Sequence, residues 1–289
     1  MGINFNKTKL MLEAKRNGAS FDKILTLGHQ KNNMVFSEIK KLKKNYHILG
    51  NEINISDFKY RSYMDKFFNL FLGVKEIDVI DYSDYEGANI VHDLNLPIPD
   101  DLNSRYDVVI DGGTLEHIFN FPVAIKNCMK MTKVGGSIFI FSMSNNHCGH
   151  GFYQFSPELF FRIFDSENGF EVKKLIINEH PFPGAELSKK SIGYEVVDPK
   201  EIGRRINIVN NKPLGIMVHA KKIKDMEIFT KFPYQSDYSQ AWNKKNAKHK
   251  KERLYKRIVK KILNKFPLTI KNYFYGKIQL YQSSISNHR

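Results

Sequence analysis

The feature that most constrains the fold is the stretch Tyr106–Asn120, which reads YDVVIDGGTLEHIFN. Its apolar run Val108–Ile110 ends on Asp111, and two glycines follow directly. A continuous apolar run that closes on an acid and a glycine turn is typical of a buried parallel strand. In open α/β sheets, ligands bind beyond the carboxyl ends of the strands. We therefore predict that the turn Asp111–His117 forms the floor of an active site.

Further apolar runs alternate with stretches of helical periodicity along the chain. Strands are predicted at residues 23–28, 77–81, 106–110, 137–142, 170–178 and 214–222. Helices are predicted at residues 9–17, 33–44 and 60–72, from Pro122 to a stop at Gly135–Gly136, and from Pro157 to about Gly169. This alternation predicts an α/β fold with a doubly wound, mostly parallel sheet. The last two strands lack a clear helix between them, so we expect them to form an antiparallel edge.

The chain divides into a domain over residues 1–225 and an extension over residues 226–289. Within the domain, residues 180–213 are rich in proline, glycine and charge, which indicates a lid or insertion. The net charge is +15, and residues 244–265 alone hold eleven basic side chains and one acidic one. The extension is therefore strongly basic, whereas the body of the protein is only mildly so.

Several classes of protein are not indicated by the composition. No apolar run reaches the length of a membrane span, and the first residues do not resemble a secretory signal. Cys128 and Cys148 are too few for a disulfide framework, which fits the reducing cytoplasm. Among histidines and cysteines, only His147, Cys148 and His150 cluster, and they lack a distant fourth ligand. We predict that no metal is bound.

Four segments together resemble the class I S-adenosylmethionine-dependent methyltransferases: YDVVIDGGTLEHI, KVGGSIFIFS, GHGFYQFSPELF and NGFEV. The similarity spans roughly residues 23–222, and the set resembles methyltransferase-like proteins of bacterial surface-glycan clusters. It implies a seven-stranded, Rossmann-like sheet and methyl transfer from S-adenosylmethionine. The implied acceptor is a hydroxyl of a sugar or glycan precursor, which would place the chain in polysaccharide biosynthesis.

The resemblance also implies where the cofactor would bind. Gly28 would let the backbone approach the ligand, and Asp81 would accept hydrogen bonds from the ribose hydroxyls. The family's first loop usually reads acid-x-glycine-x-glycine, but only Gly28 is present here, so Gln30 and Asn32 become candidates for the methionine carboxylate. The remaining implied contacts are Asp93 and Leu94 around the adenine, and Asp111 and Gly112 under the sulfonium end.

A hydroxyl acceptor needs a base within hydrogen-bond reach, and histidine titrates near neutrality. His117 and His150 are the candidate bases, and Glu116 would orient either one. Each also has a purely structural interpretation, because His117 begins a helical turn and any loop histidine can be solvated or cap a helix. Asp93 also has a purely structural interpretation, since Asp-x-Asn commonly caps a turn. His147 fits a structural role better than a catalytic one.

The basic extension has three possible partners. Leu254, Ile258, Ile262 and Phe266 recur at four-residue spacing, so residues 244–289 contain an amphipathic basic helix that suits an anionic membrane surface. Nucleic acid would accept the same charge, but the Asp-Gly-Gly-Thr turn differs from the Pro-Pro-aromatic turn of enzymes that methylate base amines. The third partner is the body of the protein or a second subunit. The sequence does not indicate an oligomeric state.

Two alternatives to the enzyme remain open. One is a non-catalytic binding or scaffold protein that kept the fold and lost the cofactor, as the altered first loop suggests. The other is a nucleic-acid-binding protein that uses its basic extension. As an enzyme, the chain would be cytoplasmic, and the extension would hold it at the inner face of the membrane.

Overall fold

The structure is a computed structural model that describes residues 2–48, 53–179, 192–206, 208 and 211–239, together with the backbone of 281–283. Its strands are β1 (Gly2–Ile3), β2 (Lys23–Leu27), β3 (Lys31–Asn32), β4 (Glu76–Asp81), β5 (Ile90–Val91), β6 (Tyr106–Asp111), β7 (Thr132–Asn145), β8 (Phe170–Glu179), β9 (Gly193–Glu195), β10 (Leu214–Lys222) and β11 (Tyr281–Ser283). Its helices are α1 (Phe5–Arg16), α2 (Phe36–Asn45), α3 (Asp65–Phe67), α4 (Phe121–Met131), α5 (Pro157–Ile163) and α6 (Pro199–Ile202). A π-helical stretch, Phe68–Leu72, continues α3.

The main sheet has the order β11-β9-β8-β10-β7-β6-β2-β4-β5. The five strands from β5 to β7 are parallel to one another. Counted along the chain from β2, these five have the spatial order 3-2-1-4-5, which is the order of a Rossmann fold. The predicted doubly wound, mostly parallel sheet is confirmed. Because the strand order reverses between β2 and β6, the ligand crevice of such a sheet lies at their carboxyl ends.

The antiparallel part of the sheet is more extensive than a single edge strand. As predicted, β8 and β10 pair antiparallel, but β10 also pairs with β7 and therefore lies inside the sheet. The short strands β9 and β11 extend the sheet beyond β8, so among the described residues this sheet has nine strands rather than the seven that the resemblance implies. Much of the predicted lid, including residues 180–191, lies outside the described residues.

Both faces of the parallel sheet are covered, which explains the uninterrupted apolar run of β6. Val109 packs with residues of α4, whereas Val108 and Ile110 pack on the opposite face with residues of α1 and the π-helical stretch. Alternate side chains of a strand point to opposite faces, so a strand covered on both sides needs apolar residues at every position. This packing places Asp111 at the end of a fully buried strand.

The predicted boundary between the fourth helix and the strand that follows it is wrong. The helix that begins near Pro122 ends at Met131, and β7 starts immediately at Thr132. Gly135 and Gly136 therefore lie within the strand segment and do not stop the helix. A Cβ atom at Gly136 would lie 2.8 Å from the carbonyl oxygen of Asp107, so the second glycine permits close packing of β7 against β6.

The packing of the domain continues past residue 225. Ile228 is buried in the core, and the backbone N–H of Ser236 donates a 2.7 Å hydrogen bond to Glu158. The predicted basic helix of residues 244–265 lies outside the described residues. Within the part of the chain that is described, no helix is both long and apolar enough to cross a membrane.

Candidate active site

Two predicted cofactor contacts, Gly28 and Asp81, meet with Thr114 at the crevice where the strand order reverses. Gly28 follows β2 with a φ of +68°, and its N–H bonds to the carbonyl oxygen of Ile80 in β4 at 2.8 Å. A Cβ atom at Gly28 would lie 3.6 Å from Oδ2 of Asp81 and 3.7 Å from Oγ1 of Thr114. The hydroxyl of Thr114 also donates to the carbonyl oxygen of Leu27 at 2.9 Å. The ends of β2, β4 and β6 thus converge around a glycine.

Gln30 lies beneath the turn that follows β6. Its buried Nε2 donates to the carbonyl oxygens of Leu27 and Gly28 at 2.8 and 3.1 Å, which fixes the orientation of the amide. Oε1 faces Gly112 so closely that a Cβ atom there would lie 1.8 Å away. Gln30 therefore fills space in the first loop, and both of its donors are used within the protein. Asn32 is similarly engaged, since its Nδ2 donates to the carbonyl oxygens of Phe58 and Lys59.

His29 lies in the first loop, between Gly28 and the position where the resemblance implies a second glycine, which is Gln30. Its ring stacks on Tyr63 with centroids 3.6 Å apart and planes 3° apart. Nε2 lies 2.7 Å from a carboxylate oxygen of Asp65, and Nδ1 lies 2.7 Å from the carbonyl oxygen of Glu86. His29 thus joins three segments around the crevice. Local sequence could not reveal this role, because the partners are distant along the chain.

Asp111 is a buried carboxylate with an asymmetric environment. Oδ1 accepts hydrogen bonds from the backbone N–H groups of Gly113, Thr114 and Leu115 at 3.1, 2.7 and 3.4 Å. Oδ2 has no hydrogen-bond partner among the described residues, although it is buried. Burial, together with the nearby carboxylate of Glu116, raises the pKa of Asp111 to about 7. The ionised form of Asp111 therefore lacks a compensating cation within the described part of the chain.

Glu116 and the two predicted bases form one cluster. The side chain of Glu116 is fully buried, and its Oε2 accepts a 2.8 Å hydrogen bond from the hydroxyl of Ser142. Its Oε1 lies 3.6 Å from Nε2 of His150. The exposed ring of His117 lies 4.8 Å from the ring of His150. The structure thus brings together the three side chains that the sequence analysis named as catalytic candidates.

Backbone contacts hold the loop of His150 against Glu116. The N–H groups of Phe152 and Tyr153 both donate to the carbonyl oxygen of Glu116, at 2.7 and 3.2 Å. Gly151 has a φ of +68°, and a Cβ atom there would lie 2.8 Å from the same oxygen. Only glycine allows this approach, so Gly151 allows His150 to lie beside Glu116.

His147 lies at the edge of this cluster. Its ring centroid is 6.4 Å from that of His150. Burial and the neighbouring His150 lower the pKa of His147 below its ordinary value. The neutral form is therefore favoured, in line with the structural role predicted for this residue.

Asp93 and Leu94, predicted to contact the adenine, have internal partners. Oδ1 of Asp93 accepts hydrogen bonds from the backbone and side-chain N–H groups of Asn95 at 2.9 and 2.8 Å. These bonds hold the pKa of Asp93 below its ordinary value. Leu94 is buried in the main core. The geometry thus matches the turn-capping interpretation of Asp93, and Leu94 contributes to packing.

The cluster also contains donors suited to a metal ion. One ligand atom from each of Glu116, His117 and His150 can be chosen so that all three lie within 4.8 Å of one another. Glu116 and His117 come from the turn after β6, and His150 comes from the loop after β7. This donor set shares only His150 with the cluster of His147, Cys148 and His150 that the sequence shows.

No protein-family profile and no curated protein sequence matches the chain. Solved structures with a similar fold include a candidate methyltransferase from Bacillus halodurans, with 13% identity, a TM-score of 0.40, and coverage of 75% of this chain and 99% of that one. An S-adenosylmethionine-dependent methyltransferase from Thermotoga maritima has 13% identity, a TM-score of 0.41, and coverage of 73% and 87%.

A third similar structure is the 1,6-didemethyltoxoflavin-N1-methyltransferase of Burkholderia thailandensis, solved with its substrate and S-adenosylhomocysteine. It has 10% identity, a TM-score of 0.38, and coverage of 76% of this chain and 78% of that one. At these levels of similarity, the fold assignment rests on the strand order of the chain itself.

Proposed function

We propose that this chain transfers a methyl group from S-adenosylmethionine to a hydroxyl of a sugar or glycan precursor. One observation carries the proposal: the buried carboxylate of Glu116, with Nε2 of His150 3.6 Å away, lies at the same sheet edge as the crevice formed by Gly28, Asp81 and Asp111. Asp111 and Glu116 lie on the same turn after β6, where Oδ1 of Asp111 accepts a hydrogen bond from the N–H of Leu115, the neighbour of Glu116; this supports treating the two parts as one site.

The residues at the crevice fit this cofactor in shape and charge. Gly28 leaves the space of a side chain open beside Asp81, and an acid at the end of the second strand is suited to ribose hydroxyls. Oδ2 of Asp111 is a buried acceptor that no described residue satisfies. A cationic ligand would offset the cost of ionising this carboxylate. The positive charge of a sulfonium meets that requirement.

When bound, S-adenosylmethionine supplies a methyl group on a positively charged sulfur. The chain would position the acceptor oxygen and take up its proton. Nε2 of His150 is the proposed base, because it is buried and makes no hydrogen bond to the described residues. The carboxylate of Glu116, at 3.6 Å, would stabilise the imidazolium that forms. His117 would complete the polar side of the acceptor site.

The choice of a sugar acceptor rests on two features. The quoted segments resemble proteins of surface-glycan clusters, and Phe119 and Phe152 present exposed rings beside the site in an edge-to-face pair 5.9 Å apart. Exposed aromatic rings suit the apolar face of a sugar ring. The charge of the chain favours a precursor that carries phosphate, linked to a nucleotide or a lipid. For the membrane-linked case, residues 244–289 are the proposed contact with an anionic surface.

Calorimetric titration with S-adenosylmethionine tests cofactor binding. We expect saturable binding to the wild-type chain and a large loss with Asp81→Asn, because the amide keeps the shape but not the charge of a ribose acceptor. Asp84→Asn is the matched control, since Asp84 is an exposed acid on the loop after β4. No heat at millimolar ligand would refute the proposal, as would equal binding by both variants.

Methyl transfer to a panel of nucleotide-linked sugars, followed by mass spectrometry, tests the reaction. We expect His150→Ala and His117→Ala to abolish product while S-adenosylmethionine binding persists. Wild-type rates in both variants would exclude these histidines. Cofactor binding without transfer to any hydroxyl acceptor would instead support the scaffold alternative.

A further inference from the structure

We propose that Glu116, His117 and His150 form a binding site for a divalent transition-metal ion, with Zn²⁺ as the representative ligand. The three ligand atoms lie within 4.8 Å of one another. Two of the three side chains, Glu116 and His150, each hold a buried polar atom, Oε1 and Nε2 respectively, that has no hydrogen-bond partner in the described ranges. Buried acceptors without donors are costly, and a cation would satisfy them together.

The distances are close to those of a tetrahedral site. With zinc–nitrogen and zinc–oxygen bonds of about 2.0–2.1 Å, two ligand atoms of a regular tetrahedron lie roughly 3.3 Å apart. Oε1 of Glu116 and Nε2 of His150 are 3.6 Å apart, so this edge is nearly formed. His117 is exposed and can complete the set by a small side-chain rotation. The required movement falls on the least constrained of the three ligands.

The surroundings position Glu116 and His150. The hydroxyl of Ser142 donates to Oε2 of Glu116, which orients the carboxylate and leaves Oε1 facing His150. Hydrogen bonds to ligating groups of this kind are a regular part of metal sites. The backbone N–H groups of Phe152 and Tyr153 bind the carbonyl oxygen of Glu116, so the loop of His150 and the turn of Glu116 form one unit. The site is therefore supported from both elements.

The donor set indicates the class of ion and its use. Two imidazoles and one carboxylate suit zinc and neighbouring transition metals better than Mg²⁺ or Ca²⁺, which prefer oxygen ligands. Three protein ligands leave one position open for water or a substrate oxygen, as in catalytic zinc sites. The sequence prediction of no metal considered ligands from one loop only. Glu116 and His117 reach the site from a different loop.

This inference does not depend on the proposed methyl transfer, although the two share residues. One lone pair on Nε2 of His150 cannot hold a metal ion and accept a proton at the same time. In the metal-loaded chain, the ion would lower the pKa of a bound acceptor hydroxyl, which would release its proton to solvent water. In the metal-free chain, His150 would be the base.

The test uses the full-length chain, dialysed against a chelator and then titrated with ZnCl₂. We expect one ion per chain by plasma mass spectrometry and calorimetry, and tetrahedral ligand-field absorption when Co²⁺ replaces Zn²⁺. Glu116→Gln, His117→Ala and His150→Ala should each weaken binding by more than the roughly 10–100-fold that loss of an outer-shell partner costs. His147→Ala, on the same loop, and His92→Ala, at the same sheet edge, should bind as the wild type does.

Absence of stoichiometric binding at micromolar Zn²⁺ would overturn the proposal, as would equal binding by the three ligand variants and the controls. Loss of binding in His147→Ala would overturn the assigned ligand set. If Glu116→Gln fails to fold, the exposed His117→Ala still tests the site. Zn²⁺ uptake without S-adenosylmethionine binding would refute only the methyl transfer. S-adenosylmethionine binding without Zn²⁺ uptake would refute only the metal site.

Discussion

Substituting Gly112 with alanine tests how the altered first loop is built. A Cβ atom at this position would lie 1.8 Å from Oε1 of Gln30 and 2.5 Å from its Cδ. The amide of Gln30 is buried and anchored to the carbonyl oxygens of Leu27 and Gly28, so it cannot move without losing both hydrogen bonds. We predict that Gly112→Ala displaces Gln30 and destabilises the fold.

The expected size follows from the two hydrogen bonds. Each contributes about 0.5–1.5 kcal/mol net, so losing both costs roughly 1–3 kcal/mol. If Gln30 instead stays in place, overpacking of the site costs a similar 1–3 kcal/mol or so. Either way, the free energy of unfolding should fall by about 1–3 kcal/mol.

Urea unfolding followed by circular dichroism provides the measurement, in a double-mutant cycle with Gln30→Ala. Because removing Gln30 removes the clash, the double variant should be no less stable than Gln30→Ala alone. The coupling energy should then be about 1–3 kcal/mol, within the range seen for residues in contact. Gly149→Ala is the control, since a Cβ atom there meets nothing within 4 Å. It should change stability by less than about 0.5 kcal/mol.

Additive effects of the two substitutions would refute this account of the loop. So would a Gly112→Ala chain as stable as Gly149→Ala. Calorimetry with S-adenosylmethionine extends the test to function. Gly112→Ala should lose cofactor binding, because the turn that carries Asp111 moves with the displaced side chain.

Three further predictions concern single residues. Since the pKa of Asp111 is raised to about 7, the folded chain keeps a proton that the unfolded chain releases near pH 4. The free energy of unfolding should therefore fall between pH 4 and 7 by at most about 4 kcal/mol. In urea unfolding, Asp111→Asn should flatten this pH dependence, and an unchanged pH dependence would contradict the raised pKa of Asp111. Gly151→Ala should lower the free energy of unfolding by about 1–2 kcal/mol through the left-handed backbone alone, and it should weaken Zn²⁺ binding, whereas Gly149→Ala should do neither. Equal behaviour of the two variants would contradict the packing of the His150 loop against Glu116. His29→Ala should lower the free energy of unfolding by about 1–3 kcal/mol through loss of the Tyr63 stack and the Asp65 contact. His92→Ala, the control, should stay within about 0.5 kcal/mol of the wild type. Similar losses in both variants would contradict the role of His29 in joining the segments around the crevice.

Local sequence determined the six longer strands, because buried strands are rich in apolar residues, whereas the five strands of two or three residues were not predicted. Val108–Ile110 lacks any polar alternation since both faces of β6 are covered, and that pattern alone predicted a buried parallel strand. The acids and glycines at the ends of the strands marked the edge where a ligand would bind, because the carboxyl ends of parallel strands meet there. The position of Asp81 beside Gly28 follows from the same logic.

Tertiary structure decided which of these residues meet. Gln30 and Gly112 are far apart in sequence, and so are Glu116 and His150; each pair is brought together by the strand order or by a docked loop. Likewise, β10 became an internal strand because β7 and β8 both pair with it. Local periodicity shows which face of an element is buried, but it contains no information about the neighbour that buries it. For that reason the sequence could name Glu116, His117 and His150 as candidates for one site, but only the fold showed how close to one another they lie.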